Sequence, residues 1–127
     1  MAKAINGMQT ANVADVEKVK TGHGMTKFLI QNEKGEGANI MIRYWGPETN
    51  IPIHFHKQNE MWYVLDGEVR FGDQVYTTGA CIYIPGGVRY GPTIAPKGAT
   101  LLRYYEGADE MRAGRPIQEY QAAQITA

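Results

Sequence analysis

The chain has 127 residues, 43% hydrophobic and 20% charged, which suits one folded domain with one core and excludes wholesale disorder. Thirteen basic and thirteen acidic side chains cancel without a dense basic run, so the pull toward nucleic acid or an anionic membrane is missing and a small molecule is the expected partner. The first residues lack the apolar core of a secretory signal, no stretch is long enough to span a bilayer, and Cys81 has no second cysteine to pair with, so a cytoplasmic protein is predicted.

In chain order, residues 1–24 read as a lead-in segment, in which Ala11 to Lys20 fits either one short helix or a loose strand. Short runs rich in β-branched and aromatic residues then alternate with Gly and Pro, the pattern of an all-β domain over 25–107. Strands are predicted at Thr26–Gln31, Asn39–Trp45, Ile53–His56, Glu60–Leu65, Glu68–Phe71, Gln74–Thr77, Cys81–Ile84 and Thr100–Tyr105. Asp66-Gly67 has the composition of a two-residue hairpin turn, and Gly72-Asp73 marks a second tight return. The meander so formed is the start of a closed barrel or a double-sheet jelly roll. The tail, 108–127, reads as a short helix or an arm across a neighbouring subunit.

Chemistry concentrates in His54-Phe55-His56-Lys-Gln-Asn-Glu60. Side chains alternate along a strand, so both imidazoles point one way, and the three residues before Glu60 allow the chain to turn and present a carboxylate to the same point. Two histidines and a carboxylate make a facial triad, which suits Fe(II) above all, with Zn, Mn or Ni as alternatives. The plainer reading is a hydrogen-bonded histidine pair at a strand end and a surface carboxylate.

This segment resembles the first motif of the cupin superfamily: a glycine, then HxH, three residues, Glu, six residues and Gly67. Seven residues separate Gly46 from His54, where the motif has five. The second cupin motif resembles Gly79-Ala-Cys-Ile-Tyr-Ile-Pro85-Gly86-Gly87-Val-Arg-Tyr90, except that Tyr90 stands where a fourth, histidine ligand would be. The resemblance spans Ala38 to Tyr105 and implies a single cupin barrel. The segment from Val88 to Arg103 and Arg43-Tyr-Trp-Gly-Pro are also similar to small cupins of the dihydroxyacetophenone and acetylacetone dioxygenase kind. The superfamily holds dioxygenases, isomerases, decarboxylases, lyases and modules that only bind ligands, so fold alone leaves activity open. The expectation is a metal-dependent enzyme acting on a small polar organic molecule; a non-catalytic ligand-binding or sensor cupin, and an isomerase or lyase with a non-iron metal, are the alternatives.

Tyr90 could ligate as phenolate, donate a hydrogen bond to a water or substrate, or pack; the hydrogen-bonding role, with catalytic effect, is the expectation. Trp62 shares the parity of Glu60 and should wall the pocket, while Tyr63 and Leu65 should face outward and form a homodimer surface. Arg43, Arg89 and Arg103 could clamp a substrate carboxylate if they turn inward. His23 reads as a loop residue at the pocket rim, and Cys81 as a small core residue.

Overall fold

A computed structural model describes residues 3–5, 7–32 and 37–107. The tail, 108–127, expected as a short helix or an arm, lies outside the described residues. Eleven strands and one 3-10 turn are formed: β1 (Lys3–Ile5), β2 (Met8–Thr10), the turn Val13–Asp15, β3 (Val19–Thr21), β4 (Gly24–Ile30), β5 (Ala38–Trp45), β6 (Thr49–Ile51), β7 (Glu60–Phe71), β8 (Gln74–Thr77), β9 (Cys81–Ile84), β10 (Thr93–Ala95) and β11 (Ala99–Glu106). Every pairing is antiparallel. Ala11 to Lys20 thus holds a 3-10 turn, capped by the Asn12 side chain on the Ala14 N–H, followed by the start of β3. Because β3 pairs with β4, part of the lead-in segment belongs to the sheet itself.

Two sheets share one strand. On one side the order is β3-β4-β5-β11-β7, with β9 on the far edge of β7. On the other, β10 pairs with the second half of β7 and carries β6 on its outer side, and β8 lies along the other edge of β7. The result is a curled all-β jelly roll whose inward residues meet in one core: Trp45, Ile51, Trp62, Val64, Val69, Ile84, Ala95, Ala99 and Leu101.

The crossing strand corrects the expected Asp66-Gly67 hairpin. Glu60 to Phe71 is one continuous strand, and the register against β11 slips at this point, with Thr100 opposite Asp66 but Leu101 opposite Val64. The extra residue is a bulge that bends β7 from one sheet into the other. Gly67 has φ +85°, and a Cβ there would lie 2.4 Å from the Gly98 carbonyl oxygen. Gly67 takes the positive φ that Asp-Gly composition favours, but pairing with β11 keeps the chain extended and no hairpin forms. The Gly72-Asp73 return does form, pairing Phe71 with Gln74.

Ile53–His56 also differs from expectation. The strand is β6, ending at Ile51, and His54 makes only an isolated bridge to Tyr90 through N–H···O distances of 3.1 and 2.9 Å. Exposed Pro52, which has no N–H to give, separates the two. Cys81 is exposed and not in the core: it shares the parity of Tyr83, but that parity faces outward, since Ile84 is the buried residue of β9.

Candidate functional site

The site lies at one end of the barrel interior, where β7 and β11 run side by side. Register places Glu60 opposite Tyr105 and Trp62 opposite Arg103, and all four side chains are buried. His54 and His56 come from the loop after β6, and both are buried while Phe55 between them is half-exposed, so the alternation holds without a continuous ladder. Tyr90 enters from the loop before β10, fixed by its backbone bridge to His54. The Pro85-Gly86-Gly87 turn packs on this loop: Gly87 N–H donates to the His56 carbonyl, and a Cβ on Gly86 would lie 2.3 Å from the Lys57 carbonyl oxygen. The second motif's glycine is thus needed to let two backbones meet beneath the histidines.

Glu60 is the centre of the cluster. Its Oε2 accepts from Arg103 Nε at 2.7 Å and from Trp62 Nε1 at 3.1 Å. Its Oε1 accepts from the Tyr90 hydroxyl at 2.7 Å and lies 3.8 Å from His56 Nε2. Burial alone would push this carboxyl pKa up, but the Arg103 charge, then His56 and the hydrogen bonds from Tyr90 and Arg103, outweigh it and bring it down to about 2. The carboxylate is ionised at neutral pH.

The imidazoles are oriented in turn. His54 Nδ1 lies 2.8 Å from the Pro52 carbonyl oxygen, so the tautomer that donates there leaves Nε2 as a lone-pair donor. Burial lowers the His54 pKa most; His56 and Arg103 lower it further, against the raising effects of the Pro52 hydrogen bond and of Glu60, which keeps the ring neutral. The His54 and His56 rings stand 5.1 Å apart and nearly perpendicular. Tyr105 closes the floor: its ring is 5.5 Å from His56 and 4.7 Å from the Arg103 guanidinium carbon, and its hydroxyl accepts from Gln58 N–H at 3.2 Å. Trp62 and Phe71 line the wall beside Tyr90, with ring separations of 5.7 and 6.1 Å.

His54, His56, Glu60, Tyr90 and Trp62 are therefore brought together, but they are not a closed metal triad. Among the described residues, no three His, Cys, Asp or Glu side chains stand close enough to hold an ion unaided. Arg103, which could have clamped a substrate, holds Glu60, so the carboxylate is turned toward the guanidinium and the phenol. The remaining donor set still suits an ion in part. His56 Nε2 and Glu60 Oε1 are near enough to share one whose bonds are about 2.1 Å, and the outer partners that orient such ligands are present in the Pro52 carbonyl, Arg103 and Trp62.

The other arginines part company with the site. Arg43 is buried, but its Nη1 donates to Thr21 Oγ1 at 2.7 Å and Thr26 Oγ1 at 2.5 Å, tying β5 to β3 and β4, and it lies 5.9 Å over Trp45. Arg89 is exposed and packs over the Phe55 ring at 5.2 Å, so it does not line the pocket. His23 sits in the β3–β4 turn, where burial and then the Arg43 charge lower its pKa. Tyr105 was missed in the sequence; its signal is parity with Leu101 and Arg103 on β11, which would have turned all three inward together.

With this geometry in hand, comparison with known proteins defines the class. The chain is a small cupin, and it belongs to the family described as the ChrR Cupin-like domain, whose sequence model matches residues 6–108. An RmlC-like cupin from Shewanella frigidimarina superposes with a TM-score of 0.65 at 20% identity, covering 79% of this chain and 90% of that one. KdgF from Halomonas sp. gives a TM-score of 0.64 at 11% identity over 79% of this chain and 94% of that one. The anti-sigma factor ChrR, solved in complex with SigE from Rhodobacter sphaeroides, gives 0.60 at 18% identity over 75% of this chain and 51% of that one, so the match takes in about half of that chain. A search of curated protein sequences returned no match. No helix among the described residues is long and apolar enough to cross a membrane.

Proposed function

We propose that this cupin acts on a small polar organic molecule with the help of one divalent ion recruited by His54, His56 and Glu60. The observation that carries the reading is an ionised carboxylate, 1% exposed, ringed by two imidazoles, a phenol and a guanidinium inside a barrel. Burying such charges costs several kcal/mol per ion before pairing returns it, and apolar side chains would fill the same volume more cheaply, so packing is a poor explanation of the cluster. A bound ion would supply Lewis-acid polarisation of a ligand oxygen, and iron would open oxygenase chemistry, whereas Zn, Mn or Ni would suit isomerase or lyase chemistry. The protein's own residues would orient the molecule: Tyr90 by its hydroxyl, Trp62 and Phe71 by their faces. The ChrR family and the likeness to oxalate decarboxylase from Bacillus subtilis, an enzyme, support the cupin class but leave the reaction open.

A second reading, recognition of a small molecule without an ion, is favoured by one observation: Arg103 already neutralises Glu60. Calorimetric titration of chelator-treated protein with Fe(II), Zn, Mn and Ni separates the two. Stoichiometric binding that the His54→Ala/His56→Ala double variant loses, while still folding into the same barrel by circular dichroism, is the expected result. An ion retained by that variant would remove these residues from the site, and no binding at all would leave the ion-free module.

A further inference from the structure

We infer that the two oxygens of Glu60 have different duties, Oε2 being anchored permanently by Arg103 and Trp62 while Oε1 is held by Tyr90 as a latch that must open before an ion or ligand donor can reach the carboxylate. The inference rests on the ion-binding reading of Glu60. It follows from an asymmetry in what surrounds the two oxygens.

The anchor side cannot yield without repacking the core. Arg103 is 2% exposed, its guanidinium is stacked against Tyr105, and Nη1 points to Met41 Sδ at 3.7 Å. Trp62 is 3% exposed and wedged edge-on against Trp45 at 5.4 Å. The latch side is different. Tyr90 is half-exposed, and although its backbone is tied to His54, its hydroxyl proton has two in-plane positions about the C–O bond, only one of which points at Oε1. Tyr90 reaches Oε1 at 2.7 Å, on the edge of the carboxylate that faces His56, so its proton stands on the oxygen an ion would need.

This explains why the expected triad is not closed, and it reverses the usual expectation for a residue at a ligand position. Tyr90 competes with the ion for Glu60. Once the hydroxyl has turned away, it can donate to an oxygen of the incoming molecule, so the latch becomes a positioning residue for the ligand.

Removing the hydroxyl should therefore tighten ion binding. A hydrogen bond to a charged group is strong enough for its loss to move an affinity on the order of tenfold. In Tyr90→Phe, the calorimetric Kd for Zn and Mn is expected to fall about tenfold, while His54→Ala weakens it. A Kd unchanged or raised in Tyr90→Phe overturns the latch. A measurement that needs no ion is the infrared difference spectrum of ion-free protein, wild type minus Tyr90→Phe. The Glu60 carboxylate band is expected to shift, and that shift should vanish when the comparison is repeated in a Glu60→Gln background. Absence of the shift overturns the latch whatever the ions do. A shift without ion binding in either protein supports the hydrogen-bonded latch on the carboxylate and overturns the ion-binding reading.

Discussion

The same two strands, β7 and β11, build two opposite environments a few residues apart. At one end Glu60, Trp62, Arg103 and Tyr105 interlock through charge and hydrogen bonds; further along, Val64 faces Leu101 and Gly67 faces Ala99 in a purely apolar layer. From Glu60 to Val64 the register against β11 is unbroken, so what separates these two ends is chiefly side-chain chemistry. The apolar layer derives its stability from area removed from water and tolerates change in proportion to volume. The polar end is stable only while every partner is present, because a charge left alone in the core has no water to return to.

Breaking the polar end should produce the largest effect. Arg103→Met leaves Glu60 buried without its guanidinium, and a loss of about 3–5 kcal/mol in denaturant unfolding is expected. Adding Glu60→Gln should recover most of that loss, since the uncompensated charge is then gone. If the double variant is no more stable than Arg103→Met, the pair is not coupled as the geometry requires. At the apolar end, Leu101→Ala should cost about 2–5 kcal/mol by leaving a cavity. That loss should not be recovered by any change at Glu60, which is the sharpest contrast between the two ends.

Acid distinguishes the ends without mutation. His54 has a pKa below 6.5 in the folded chain, so once pH falls below 6.5 the unfolded chain takes up a proton there that the folded chain resists, and stability declines. Glu60 has its pKa lowered from 4.5 to about 2, so its contribution is fully present above 4.5 and is lost as pH falls toward 2. Both signs agree: ion-free protein should lose stability in two stages on acidification. In a Glu60→Gln variant the later stage should shrink, and if the two profiles coincide below pH 4.5 the carboxylate does not carry the charge assigned to it.

Much of this was legible in the residues. Gln74–Thr77 and Cys81–Ile84 were read with their observed bounds because glycines bracket short alternating runs, and the convergence of His54, His56, Glu60, Trp62 and Tyr90 follows from parity and motif spacing. What was not legible depends on partners distant in sequence. Asp66-Gly67 looks like a hairpin until β11 pairs with it. Arg103 looks like a solvated or substrate-clamping arginine until register lays it beside Trp62, within reach of a carboxylate 43 positions earlier. Local chemistry sets what a turn or a charge can do, and long-range pairing selects which of those options is used.

The smallest expected effect concerns the outer face of the same strand. Tyr63 and Leu65 point away from Glu60 and Trp62 and are 40% and 41% exposed, and β9 adds Tyr83 at 62% beside Met61 and Cys81 beside Tyr63. This stretch of outward sheet surface has no charged side chain among these five residues, and a flat apolar face is matched by a second copy of itself across a two-fold axis. A homodimer through this face is therefore expected. Because the side chains are already partly in water in the single chain, Tyr63→Ser with Leu65→Ser should change unfolding free energy by less than Leu101→Ala does, about 1 kcal/mol under monomeric conditions. The same double variant should shift the sedimentation profile from dimer to monomer at micromolar concentration. A wild type that sediments as monomer at high micromolar concentration, or a double variant that stays dimeric, would show that this face is not where two copies meet.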